Sequence, residues 1–74
     1  MTNLADLTPR ELEILQLVLT GKTNKAIASE IYVSAKTVEF HLDNLYKKIG
    51  VQTRMMAGVW ALQHGLRFDT SNPE

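Results

Sequence analysis

Residues 23–51 read TNKAIASEIYVSAKTVEFHLDNLYKKIGV, and the fold turns on how this stretch divides. Ile27, Ala28 and Ile31 make a short apolar face. Val38, Leu42, Leu45 and Ile49 make a longer one, recurring at i, i+4, i+7 and i+11. Both spacings belong to one side of an α-helix. Tyr32-Val33-Ser34 separates them and is expected as a turn, with Val33 a buried plug. The Ser34 hydroxyl is placed to cap the helix that follows, and Gly50 to stop it. The opposite side of that helix carries Lys36, Phe40, Asp43 and Lys47, pointing away from whatever the apolar side packs on. A short helix, a tight turn and a helix with an outward polar row form a helix-turn-helix. In that arrangement the second helix enters the major groove of duplex DNA.

The flanks supply two more helices. Thr8-Pro9-Arg10-Glu11 combines a capping threonine, a proline suited to the first helical position and a glutamate that closes a capping box. Leu12, Leu15, Val18 and Leu19 then give the expected core stripe, with Leu7 folding back on it and Gly21 ending the helix. Thr23 or Asn24 caps the second helix. The third spans about 35–49 and the fourth about 54–64. In the fourth, Ala57, Gly58 and Ala61 permit close packing, while Met55, Met56, Val59, Trp60 and Leu62 offer more large apolar surface than one core face needs. That surplus points to a twofold-related copy of the same helix, and the competing reading has Trp60 closing the domain's own core. The expected fold is all-α, a four-helix bundle containing a helix-turn-helix. Its divisions are an N-terminal extension at 1–6, the domain at 7–66 and a flexible tail at 67–74.

Seventy-four residues make one domain near the lower size limit for a self-supporting core. Cysteine is absent, so neither disulfides nor thiolate metal sites are available. No apolar run approaches the roughly 20 residues of a membrane span. Met1 is followed by Thr2, Asn3 and Asp6 instead of a basic start and an apolar stretch, so no signal peptide is visible and the cytoplasm is expected. Net charge is zero, but unevenly distributed. Between Lys22 and Arg54 six basic residues face three acids, giving +3, and the remainder has two basic residues against five acids, giving −3. The basic excess lies where a DNA-binding helix needs it.

Nothing resembles catalysis or a cofactor site. Glu11 and Glu13 sit on a helix without a cleft, serines and threonines fall at caps, and no glycine-rich phosphate loop exists. His41 and His64 lack carboxylate or thiolate company, so no metal, cofactor or small-molecule ligand is expected. His41 lies on the border of the core stripe, suited to bridge core and phosphate, with a pH switch as the other reading.

Four blocks in order carry a resemblance: Leu7-Thr8-x-Arg10-Glu11, Gly21-x-Thr23-Asn24-Lys25-x-Ile27-Ala28, Val33-Ser34-x-x-Thr37-Val38-x-x-His41, and Lys48-Ile49-Gly50-Val51-x-x-Arg54-x-x-Ala57. Together they resemble the LuxR/GerE/FixJ-type DNA-binding domain of bacterial transcription regulators, either standing alone or as the output domain of a response regulator. Region four of a sigma factor shares the pattern from Thr8 to Thr37, but the last block and the apolar fourth helix favour the first family. The resemblance implies promoter DNA as partner, the third helix in its major groove, and a homodimer through the fourth helix at Met56, Val59, Trp60 and Gln63. It also implies phosphate contacts from Asn24, Lys25, Ser34, Thr37 and His41, joined on physical grounds by Lys36 and Lys47. Base edges would be read by Glu39, Phe40 and Asp43. RNA polymerase is a further partner where the regulator activates.

Two positions depart from the pattern. Relatives often carry lysine or arginine where Glu39 and Asp43 stand. A carboxylate cannot meet guanine or phosphate as a cation does, but it can accept from cytosine N4, and Phe40 suits a thymine methyl. Alternatively Glu39 pairs with Lys36 and Asp43 with Lys47, or Asp43 faces solvent. A reading of a different class makes the acidic third helix a protein-interaction surface. Ala26 replaces the family's usual glutamate, so the second helix loses a capping box.

Overall fold

The computed structural model describes residues 2–67, which form four α-helices and, among the described residues, no strand. They are α1 (Pro9–Leu19), α2 (Asn24–Ile31), α3 (Ala35–Ile49) and α4 (Arg54–Gln63). The expected all-α architecture is the observed one. Every helix starts on a hydroxyl: Thr8, Thr23, Ser34 and Thr53 accept from the N–H of Glu11, Ala26, Thr37 and Met56, each at 3.1 Å. At Thr8 the box closes, since Glu11 Oε1 accepts from the Thr8 N–H at 2.9 Å. At α2 the cap is Thr23, and Ala26 offers no side chain to close a box.

The turn into α3 is held by local backbone geometry. Tyr32 takes a left-handed conformation at φ 62° with its ring almost fully exposed. Such a conformation costs a residue with a Cβ on the order of 1–2 kcal/mol. It lets the Val33 N–H reach back to the Ala28 carbonyl at 2.9 Å and turns the Val33 side chain toward the core. Val33 packs against the core there but is half-buried, short of the buried plug expected. Gly50 ends α3 at φ 78°, where glycine pays no steric penalty.

The core follows the sequence stripes with one displacement. Ile27, Ala28 and Ile31 of α2 and all four α3 residues, Val38, Leu42, Leu45 and Ile49, are buried. In α1, however, the buried face is Ile14, Leu15 and Val18, while Leu12 and Leu19 are half-buried on its flank. On a wheel of about 100° per residue, Ile14, Leu15 and Val18 share a sector that Leu12 and Leu19 border. The shift arises because α1 packs on both α3 and α4, and Leu19 is turned toward Gly58 of α4. Ala57 and Ala61 are fully buried beneath α4.

The described residues before α1 and after α4 pack on the bundle. Leu4–Asp6 forms a 3-10 turn with its own capping box, in which the Asn3 side chain accepts from the Ala5 N–H and Asp6 from the Asn3 N–H. The Thr2 hydroxyl donates to the Lys48 carbonyl at 3.1 Å. After α4, Leu66 packs against the core and the Arg67 carbonyl accepts from Gln16 Nε2 at 2.6 Å. The rest of the tail read from the sequence lies outside the described residues. No described helix is long and apolar enough to cross a membrane.

Candidate nucleic-acid interface

The two faces of α3 separate cleanly. Its inner stripe is buried to within a few per cent, and its outer side chains Lys36, Glu39, Phe40 and Asp43 line a shallow groove of about 360 Å³. Phe40 is 63% exposed, a large ring left in water with only the edge of the His41 ring, at 5.8 Å, beside it. The burial of one side fixes the other: α3 cannot rotate without exposing Val38 and Leu45, so the outer row is held rigidly outward.

The ionic contacts sort the basic residues. Lys22 pairs with Glu30 at 3.5 Å and Lys48 with Glu11 at 2.8 Å, while the third ion pair, Arg10 with Glu13, lies within α1. Arg54 donates to Asn24 Oδ1 at 2.7 Å and to the Lys22 carbonyl. Three of the six basic residues between Lys22 and Arg54 are therefore occupied inside the fold. Lys25, Lys36 and Lys47 are exposed and form no ion pair with the described residues. Neither Glu39–Lys36 nor Asp43–Lys47 pairs, and both carboxylates are exposed without an ion pair among the described residues. The middle of the outer row is acidic and aromatic, with a lysine toward either end.

Of the other expected phosphate contacts, Asn24 and Lys25 lie at the start of α2, Ser34 and Thr37 at the start of α3, and His41 further along α3. Ser34 Oγ, which caps α3, lies 3.0 Å from Thr37 Oγ1. One of these hydroxyls donates to the other, which leaves one hydroxyl hydrogen for an outside acceptor. Asn24 and Lys25 open α2, where the first backbone N–H groups have no acceptor within the helix and favour an anion. His41 is half-buried beside the core stripe.

Helix α4 presents a separate apolar surface. Met56, Val59, Trp60 and Gln63 line one side of it, with Val51 and Met55, around a hollow of about 270 Å³. Met55, Met56, Val59 and Leu62 are exposed. Trp60 is half-buried and stacked on His64 at 4.0 Å between ring centres. His64 Nδ1 lies 2.8 Å from the Trp60 carbonyl, which can only accept, so Nδ1 carries the proton. The Trp60 ring packs against the domain's own core and leaves one edge open to the hollow.

Sequence reasoning did not find the contacts of Arg54 or of Glu11 with Lys48. Both join residues some thirty or more positions apart, and helical periodicity carries no signal at that range. Among the described residues no three His, Cys, Asp or Glu side chains are grouped to hold a metal ion.

The chain is 47% identical over 60 residues to the transcriptional regulatory protein LiaR of Bacillus subtilis. That alignment covers 81% of this chain and 28% of LiaR. It is 45% identical over 60 residues to the response regulator protein VraR of Staphylococcus aureus, covering 81% of this chain and 29% of VraR. The VraR of Staphylococcus epidermidis matches to the same extent. The chain thus spans less than a third of the length of these curated relatives. The family model described as bacterial regulatory proteins, luxR family, matches residues 5–61, from the 3-10 turn through the last buried residue of α4. With its four blocks, its buried α3 stripe and this match, the chain belongs to the luxR family of bacterial regulatory proteins.

Proposed function

We propose that this chain binds double-stranded promoter DNA sequence-specifically, with residues 7–66 as the DNA-binding unit of a cytoplasmic bacterial transcription regulator. Membership of the luxR family supports DNA-binding regulation. The observation that carries the finer reading is the outer face of α3, held outward by its buried stripe and without an ion pair among the described residues. In this reading α3 lies in the major groove, and Glu39, Phe40 and Asp43 meet base edges. Each good base contact contributes about 1–3 kcal/mol of discrimination. Asn24, Lys25, Ser34, Lys36, Thr37, His41 and Lys47 meet phosphates and set the register. A homodimer through Met56, Val59, Trp60 and Gln63 reads two half-sites, and an exposed surface contacts RNA polymerase where the regulator activates.

Salt dependence tests the electrostatic part quantitatively. Between Lys22 and Arg54, Lys25, Lys36 and Lys47 are the basic residues without an internal contact among the described residues. Three neutralised phosphates per protomer predict a slope of log affinity against log salt of about −3 for one protomer and about −5 for a dimer. An affinity that stays flat with salt for every duplex tested contradicts DNA binding. That outcome favours the second reading, a protein partner engaged by the unpaired carboxylates of Glu39 and Asp43.

A further inference from the structure

Arg54 occupies a place that the phosphate and base contacts above do not explain. It is the first residue of α4, fixed there by the Thr53 cap, yet its guanidinium reaches across to the entry of α2. One amino group donates to Asn24 Oδ1 at 2.7 Å and the other to the Lys22 carbonyl, both in part-buried surroundings. A guanidinium has donors only, so it can be satisfied here by the oxygen of the Asn24 carboxamide and not by its nitrogen. The contact therefore settles the amide orientation, with the oxygen on Arg54 and the NH2 on the other branch. That NH2 makes no hydrogen bond with the described residues. The Thr23 hydroxyl accepts from the N–H of Ala26, so it does not cap the N–H groups of Asn24 and Lys25, which as the first of the helix have no acceptor within it.

We infer that Arg54 is a positioning residue for duplex binding: by holding Asn24 Oδ1 and the Lys22 carbonyl, it presents the Asn24 NH2 as a donor to a DNA phosphate oxygen at the start of α2. The inference rests on the DNA-binding reading above. Arg54 itself neutralises no phosphate in this account, because its guanidinium is turned to the protein. The α4 start and the α2 start form one unit through it, so a change at residue 54 is felt at the DNA contact through residue 24.

A double-mutant cycle with Arg54→Met and Asn24→Ala, read as affinity for a duplex selected by the wild-type chain and repeated across a salt series, tests this. Removing a hydrogen bond to a charged acceptor weakens binding by about tenfold or more, so each single variant should lose about tenfold. The double variant should lose little beyond the larger single loss. The salt slope of Arg54→Met should match that of the wild type. Losses that multiply to about a hundredfold overturn the inference, because Arg54 then acts independently of Asn24. A slope shallower by about one unit also overturns it, since Arg54 would itself be neutralising a phosphate. Arg54→Lys, which keeps the charge but not the two-pronged geometry, enters the same cycle if Arg54→Met fails to fold. It too should lose affinity through Asn24 with an unchanged slope. If the wild-type chain binds no duplex, the DNA-binding reading fails and takes this role with it, whereas binding with independent losses removes the role alone.

Discussion

Glu11 shows how much one side chain can do in a chain this short. Its carboxylate closes the capping box on the Thr8 N–H and receives the Lys48 ammonium from the far end of α3. The same ammonium also donates to the Asp6 carbonyl at 3.3 Å, so a single ion pair ties α1, α3 and the 3-10 turn together. Burial pushes the Glu11 carboxyl up, but the hydrogen bonds from Lys48 and the Thr8 N–H, with the Lys48 charge, outweigh it and hold the group below its ordinary value. The unfolded chain therefore takes up the proton first as pH falls. The stabilisation is fully present above the ordinary carboxylate value and is lost as pH drops through the lower folded value. Glu11→Gln should cost about 1–2 kcal/mol at neutral pH. Denaturant unfolding from pH 7 to 3 should show a weaker acid decline for the variant, and an unchanged decline would take Glu11 out of the linkage. The capping half of this role is legible in Thr8-x-x-Glu11, because it is local. The Lys48 half is not, since it depends on where α3 crosses α1.

At the scale of the element, α4 repays attention on both of its sides. Gly58 reads from the sequence as room for close packing, yet a methyl group there would lie 3.6 Å from Leu19 Cδ2, an ordinary contact. A helix-interior glycine costs about 0.8–1 kcal/mol relative to alanine. Gly58→Ala should therefore raise stability by about 0.5–1 kcal/mol in thermal unfolding, and a loss would mean that α1 and α4 need the closer approach. The outward side is set by different physics. Val59 is 48% exposed and makes no part of the buried core, so Val59→Asp should leave the fold intact. If α4 pairs with its copy, that charge should convert the dimer to a monomer in sedimentation. A variant as associated as the wild type removes α4 from the interface. Element ends were legible because hydroxyl caps and glycine stops are local signals, and α3 was read nearly to the residue. The buried side of α1 was not, because Ile14 competes with Leu12 and Leu19 on an apolar helix that touches two neighbours. In such a helix the winning face is decided by the neighbours.

For the whole molecule, zero net charge hides a division of labour. Lys22, Lys48 and Arg54 contact other parts of the fold, while Lys25, Lys36 and Lys47 form no ion pair with the described residues. Counting charges along the chain cannot separate these sets, because pairing is a property of the assembled fold. The fold and the family were legible from four spaced blocks, and the candidate interface from the outer row of α3. What that row reads was not, and neither Glu39 nor Asp43 forms an ion pair with the described residues. The central claim is that this outer face recognises sequence. Selection of bound sites from random duplex DNA at about 0.15 M salt, run in parallel for the wild type and Asp43→Ala, tests it most directly. The account predicts a paired half-site motif for the wild type, with the preference at one base pair of each half-site altered in Asp43→Ala. Failure of the wild type to enrich any site would contradict it.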